Sequence, residues 1–82
     1  MDFIREDNRI YSIDDAGKIV AEITFPEIEK GVYNIDHTFV DDSLRGQGIA
    51  KQLVEMAIQQ IESKNGKVQA TCSYAKKYLN EK

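Results

Sequence analysis

The sequence predicts a mixed α/β fold: antiparallel strands at the N-terminal end, then a strand–helix–strand unit, then a short C-terminal helix. Three observations predict it. Runs 8–13 and 18–25 are rich in β-branched and aromatic residues and flank the turn-forming Asp14-Asp15-Ala16-Gly17. An apolar stripe with a four-residue repeat marks a helix over 47–64. Strand-like runs, 32–40 and 67–72, stand on either side of that helix. A length of 82 residues suits one domain over 1–82, near the lower size at which a core alone holds a fold.

The first two runs read as a hairpin, because the turn residues between them tolerate the tight backbone a hairpin needs. In the second run Ile19, Ala21, Ile23 and Phe25 fall on one face, and Val20, Glu22 and Thr24 on the other. The first set is the expected core face. Segment 26–31 holds the only proline and several charges, and reads as a solvent-exposed connection. Alternation through 32–40 puts Tyr33, Ile35, His37 and Phe39 on one side, with Val32, Asn34, Asp36, Thr38 and Val40 on the other. In the helix, Ile49, Leu53, Ala57 and Ile61 form the stripe, flanked by Ala50, Val54 and Ile58. Asn65-Gly66 stops it, since both tolerate the left-handed conformation. The run 67–72 turns Val68, Ala70 and Cys72 to one face, and 73–80 makes a last helix of about two turns. The runs 32–40 and 67–72 then pair in parallel across the helix, as a crossover connection allows.

Composition narrows the function. Fourteen acidic against eleven basic residues give a net charge of −3, with no tryptophan and no long basic run, so the broad cationic face that nucleic acid requires is missing. No stretch approaches the roughly 18 apolar residues of a membrane span, and the N-terminus has no apolar leader core, so no membrane partner is expected. One cysteine, Cys72, precludes an internal disulfide, and no Cys/His cluster has metal-ligand spacing. A cytoplasmic protein is the expectation.

The stretch Asp41-Asp42-Ser43-Leu44-Arg45-Gly46-Gln47-Gly48-Ile49-Ala50 joins the third strand to the helix and has the makings of an anion cradle. Gly46 and Gly48 let the backbone turn tightly and bare its N–H groups, and the helix start adds the positive end of its macrodipole. Phosphate is the natural guest. The dinucleotide glycine pattern and the lysine-serine/threonine ending of a nucleoside-triphosphate loop are both absent.

Arg45-Gly46-Gln47-Gly48-Ile49-Ala50 resembles the Arg/Gln-x-x-Gly-x-Gly/Ala signature of the GNAT superfamily of acetyl-CoA-dependent N-acetyltransferases. The order of elements from about residue 8 onward is similar as well. Asn34-Ile35-Asp36-His37-Thr38 and Cys72-Ser73-Tyr74-Ala75-Lys76 resemble a compact bacterial-type group within it. The resemblance implies acetyl-CoA as acetyl donor, with its pyrophosphate on the backbone N–H groups of Arg45, Gly46, Gln47, Gly48, Ile49 and Ala50. It also implies pantetheine on the main chain of Thr38, Phe39 and Val40. Arg45 and Lys51 add charge at the rim.

Acetyl transfer to an amine needs a base, polarisation of the carbonyl and a proton for the departing thiolate. His37 is the only histidine and a candidate base; the alternative is a buried, hydrogen-bonded core residue. Cys72 is a candidate acyl relay, or a small packing residue beside Val68 and Ala70. Many superfamily members carry asparagine, then alanine three residues later, then a proton-donating tyrosine four beyond that. Here Cys72, Ala75 and Leu79 stand at those places, so Tyr74 and Tyr78 remain the candidate acids, or are helix-packing residues. Asp36, Asp41 and Asp42 either attract a cationic amine or cap and solvate loops. The insertions that shape the acceptor pocket of larger members are absent, so an acceptor site that is open, shallow or completed by another subunit is expected, in a monomer or small homo-oligomer. Two functions stand: transfer of acetyl to a small-molecule or protein amine, and a reduced module that binds acyl-CoA or a protein partner without efficient turnover.

Overall fold

The computed structural model describes residues 2–80. In chain order the elements are β1 (Ile4–Glu6), β2 (Arg9–Ile13), β3 (Ile19–Thr24), β4 (Glu27–Glu29), β5 (Val32–Ile35), β6 (His37–Val40), a 3-10 turn (Asp42–Leu44), α1 (Ile49–Glu62), β7 (Lys67–Ala70) and α2 (Ser73–Asn80). They form an antiparallel sheet β1-β2-β3-β6 and a second sheet β4-β5-β7 in which β5 and β7 are parallel. The expected mixed α/β architecture is present, with its hairpin, helices and parallel pair.

The β2–β3 turn is held by Asp14, whose Oδ1 accepts from the backbone of Ala16 and Lys18 at 2.9 Å each. Two short strands escape the sequence reading. β1 pairs with β2, and β4, in the segment expected to be a connection, pairs with β5. Each is three residues long and fully exposed, so neither leaves a hydrophobic pattern to read.

The larger correction concerns residues 32–40, read as one strand with one alternation. The strand breaks at Asp36. β5 runs parallel with β7, whereas β6 leaves that sheet and pairs with β3 in the register Ala21↔Val40, Glu22↔Phe39, Ile23↔Thr38 and Thr24↔His37. The extra residue shifts the side-chain phase, as a bulge does. Tyr33 and Ile35 face the core, but so do Thr38 and Val40, and it is His37 and Phe39 that are exposed. Thr38 and Val40 share a face with fully buried Ile23 and Ala21, because directly opposed residues of an antiparallel pair lie on one side.

The helix α1 covers that inner face. Leu53, Val54 and Ile61 pack against Ile10, Ile23, Phe25 and Ile35 in one cluster, joined by Ala75 from α2. Each such fully buried aliphatic or aromatic side chain stabilises by about 1.5–3 kcal/mol. At the C-terminal end of α1, Asn65 alone takes the left-handed conformation, at φ 59°. Gly66 is required for a different reason: a Cβ there would lie 2.8 Å from the Tyr33 ring and 2.9 Å from Ile61. Among the described residues no helix is long and apolar enough to cross a membrane.

Candidate functional site

The break at Asp36 makes the site. β6 is the last strand of one sheet and β7 the last strand of the other, so the edge of β6 away from β3 has no strand partner among the described residues. On that side the backbone N–H of Thr38 turns to the Cys72 thiol. β5 and β7 stay pinned up to the point of parting: Asn34 Nδ2 donates to Thr71 Oγ1 at 3.0 Å, and the Ile35 carbonyl accepts from both Thr71 N and Cys72 N at 3.1 Å. Asn34 Oδ1, buried, has no partner among the described residues.

Beyond β6 the chain turns through the predicted cradle. Asp41 caps the 3-10 turn, its Oδ2 accepting from Ser43 N at 3.1 Å and from Ser43 Oγ at 2.6 Å, and Asp42 pairs with Arg45 at 3.0 Å. Asp36 accepts from the Thr24 hydroxyl. These three acidic residues therefore serve turns and strand ends. The hydrogen bonds of Asp41 hold its carboxyl below the usual range.

Gly46 and Gly48 take φ of 81° and 71°, a region that disfavours side-chain-bearing residues, and a Cβ at either would meet nothing within 4 Å. Geometry demands the glycines, and the space in front of them is clear. Gly48 caps α1 without a side-chain hydrogen bond, and the first helical bond runs from Gln52 N to Gly48 O at 3.1 Å. The N–H groups of Ile49, Ala50 and Lys51 thus precede the helical ladder and point to the helix's positive end. The Arg45 N–H, by contrast, is already bonded to Asp42 O at 3.2 Å, so the open donors begin after it. Val40, Leu44, Arg45, Gly48, Lys51 and Tyr74 wall a cavity of about 180 Å³ in front of these groups. An oxyanion fits this donor set.

The candidate catalytic residues divide between the two faces. Cys72 is half-buried where the sheets part, with its thiol 3.6 Å from Thr38 Oγ1. Burial pushes this thiol up, but the backbone N–H of Ala75, the Thr38 hydroxyl and the N–H of Tyr74 prevail and hold it below the ordinary value. The helix that begins at Ser73 presents those N–H groups, so the thiol sits at a helix N-terminus. His37 lies on the outer face, 3.6 Å from Glu22 and half-exposed. It is not a core residue.

Tyr74 is exposed at the cavity wall, whereas Tyr78 is half-buried with Glu55 facing it, its hydroxyl pushed up first by burial and then by that carboxylate. Sequence reasoning missed Glu22, Arg9, Asn34 and Thr71. For Glu22 a signal existed: a lone carboxylate in the otherwise apolar run 19–23. Among the described residues no group of three or more His, Cys, Asp or Glu is placed to hold a metal ion.

A family model described as GCN5-related N-acetyl-transferase matches residues 10–82. Protein NATD1 of Gallus gallus is 34% identical over 61 residues, which are 74% of this chain and 56% of that protein. The chain thus spans about half the length of the curated relatives it matches. A GCN5-like protein from Staphylococcus aureus, solved in solution by NMR, superposes with a TM-score of 0.80 at 36% identity, covering 98% of this chain and 78% of that one. A GNAT family N-acetyltransferase from Escherichia coli, solved in complex with CoA, shares the fold at 23% identity with a TM-score of 0.58, over 67% of this chain and 33% of that one.

Proposed function

The chain belongs to the GCN5-related N-acetyltransferase family, and from that premise we propose that it takes acetyl-CoA as acetyl donor and transfers the acetyl group to an amine. One observation carries the proposal. The uncapped start of α1 and the end of β6, whose outer edge is unpaired, open onto the same cavity. Backbone N–H groups from Gly46 through Lys51 receive the diphosphate by charge-assisted hydrogen bonds, and the main chain of Thr38 and Val40, which alternate with the β3-paired Phe39, receives the amide-bearing arm. Lys51 and Arg45 lie at the rim, although Arg45 shares its charge with Asp42.

Acetyl-CoA supplies the activated thioester; the chain supplies proton handling and, in one form, a nucleophile. His37, exposed on the outer face, accepts the proton of the incoming amine. In the relay form the Cys72 thiolate attacks the thioester carbonyl and the CoA thiolate departs, taking a proton from Tyr74 or solvent. The amine then displaces Cys72 as its proton passes to His37. In the direct form Cys72 only borders the reacting carbonyl. The whole span 1–82 acts as one domain, with a free thiol suited to a reducing cytoplasmic setting, in a monomer or small homo-oligomer.

The rival is a module that binds acyl-CoA without efficient turnover, and the open outer face, on which His37 and Phe39 are exposed, favours it. Calorimetry with acetyl-CoA, followed by mass spectrometry of the protein and of a pool of amines, decides. Binding with acetyl on an amine supports the transferase, and acetyl trapped on Cys72 supports the relay form. Binding with no acetyl on any product leaves the module.

A further inference from the structure

The outer face of the four-stranded sheet carries one ordered chain of side chains. Arg9 on β2, Glu22 on β3 and His37 on β6 come from three neighbouring strands. The register sets them side by side, Arg9 opposite Thr24 and Thr24 opposite His37, with Glu22 two residues before Thr24. Arg9 Nε donates to Glu22 Oε2, and the other carboxylate oxygen, Oε1, lies 3.6 Å from His37 Nε2. Arg9 is itself fixed from two more directions. Its guanidinium lies 3.9 Å from the centroid of the Tyr11 ring, and Nη1 is 3.6 Å from Glu6. Glu22 is the shielded member of the chain, with a side chain 19% exposed against 52% for His37.

We infer that Glu22, locked by Arg9, is the positioning residue for His37, binding the imidazole by its Nε2 edge and leaving Nδ1 as the ring's acceptor. The inference rests on the proposed role of His37 toward the amine, and deepens it by assigning the ring's orientation and tautomer. A neutral imidazole has one donor and one acceptor nitrogen, and at 3.6 Å, longer than a direct hydrogen bond, the carboxylate acts on Nε2 through its charge, which favours the tautomer with the proton on that side. An ionised carboxylate accepts only. It therefore favours the proton on Nε2, and Nδ1 is left to hold the lone pair that an amine proton needs. The groups facing His37 are Glu22 and Thr24 from β3 and, along its own chain, Asp36, which is engaged by the Thr24 hydroxyl.

The test is Glu22→Gln, which preserves shape. Arg9 Nε can only donate, so it takes the amide oxygen. The amide NH2 then faces His37 Nε2, which must become the acceptor. The imidazole proton moves to Nδ1. Long-range proton–nitrogen correlation spectra of the neutral ring read this directly: Nε2–H in the parent, Nδ1–H in Glu22→Gln. Kinetically, Glu22→Gln lowers kcat at least about tenfold, with KM for acetyl-CoA unchanged, as loss of a positioned base predicts. On a His37→Ala background the same change is silent. A ring that keeps its proton on Nε2 in Glu22→Gln overturns the inference whether or not the protein turns over. A tautomer switch in a protein that acetylates no amine supports the contact and removes the transferase reading. Thermal unfolding of both proteins shows that the comparison is made between folded chains. If Glu22→Gln refolds poorly, the parent alone still decides, because a ring carrying its proton on Nδ1 overturns the inference without any variant.

Discussion

The two faces of the β3–β6 ladder differ in what they are made for. Ala21, Ile23, Thr38 and Val40 turn inward under α1, whereas Glu22, Thr24, His37 and Phe39 turn to the opposite face, where His37 and Phe39 are exposed. The first holds the core, and the second carries the exposed side chains of His37 and Phe39. The half-buried thiol of Cys72 joins them at the point where the sheets part, in contact with Thr38. One residue, Asp36, creates the division, because the break there both frees an edge of β6 and rotates His37 outward.

The sharpest test of that contrast compares two phenylalanines. Phe25 is fully buried in the core cluster, and its replacement by alanine should cost about 3–5 kcal/mol through lost burial and a residual cavity. Phe39, on the outer face, is 38% exposed, and the same change should cost about 1 kcal/mol or less. Denaturant titration of both proteins measures the difference. Equal losses would mean that the outer face is covered in solution.

The second effect belongs to the cradle. Gly48→Glu places a carboxylate where the donor set favours an anion, and imposes a side chain at φ 71°. Acetyl-CoA affinity should fall about a hundredfold, equivalent to about 2.7 kcal/mol, in calorimetry. Gly48→Ala separates the causes: it carries only the conformational strain, about 1–2 kcal/mol of stability, because a Cβ there meets no protein atom. An unchanged affinity in Gly48→Glu would move the diphosphate elsewhere.

Legibility followed the same line. The turn into α1 could be read from Gly46 and Gly48 because a positive φ is a demand that few residues besides glycine meet. Helix α1 could be read from a stripe whose members are all buried: Ile49, Leu53, Ala57 and Ile61. The face assignment beyond Asp36 failed because alternation assumes an unbroken strand, and a break of one residue reverses every side chain after it. Nothing in Asn34-Ile35-Asp36-His37-Thr38 announces that break. The Arg9–Glu22–His37 chain was illegible for a related reason, since it needs the register of three strands, which hairpin chemistry fixes for only two. The exposed strands β1 and β4 lacked any burial pattern at all.

A smaller effect tests how the two faces meet. Because the Ala75 and Tyr74 N–H groups and the Thr38 hydroxyl favour the thiolate against the opposing effect of burial, Cys72 should be alkylated by iodoacetamide with a pH midpoint below that of free cysteine. Thr38→Val removes the hydroxyl and keeps the shape, so the midpoint should rise part of the way back. A midpoint at or above the free value in the parent protein would make Cys72 an ordinary packing residue.

The smallest expected effect is at Asp41, between β6 and the cradle. Its carboxyl is held below the ordinary 3.8, first by the Ser43 hydroxyl and then by the Ser43 backbone N–H. A folded value depressed below the unfolded one means that the contribution is complete above about 3.8 and is lost as the pH falls through the folded value. Asp41→Ala should therefore lower Tm slightly at neutral pH and flatten its fall on the acid side, so that parent and variant converge at the lowest pH. Because Asp41 orders the turn that delivers Gly46 and Gly48, its loss should also weaken acetyl-CoA binding by a few-fold, the size of effect expected from one cap. Parallel acid limbs in the two proteins would assign the acid sensitivity to other carboxylates and leave the turn held by its backbone bonds alone.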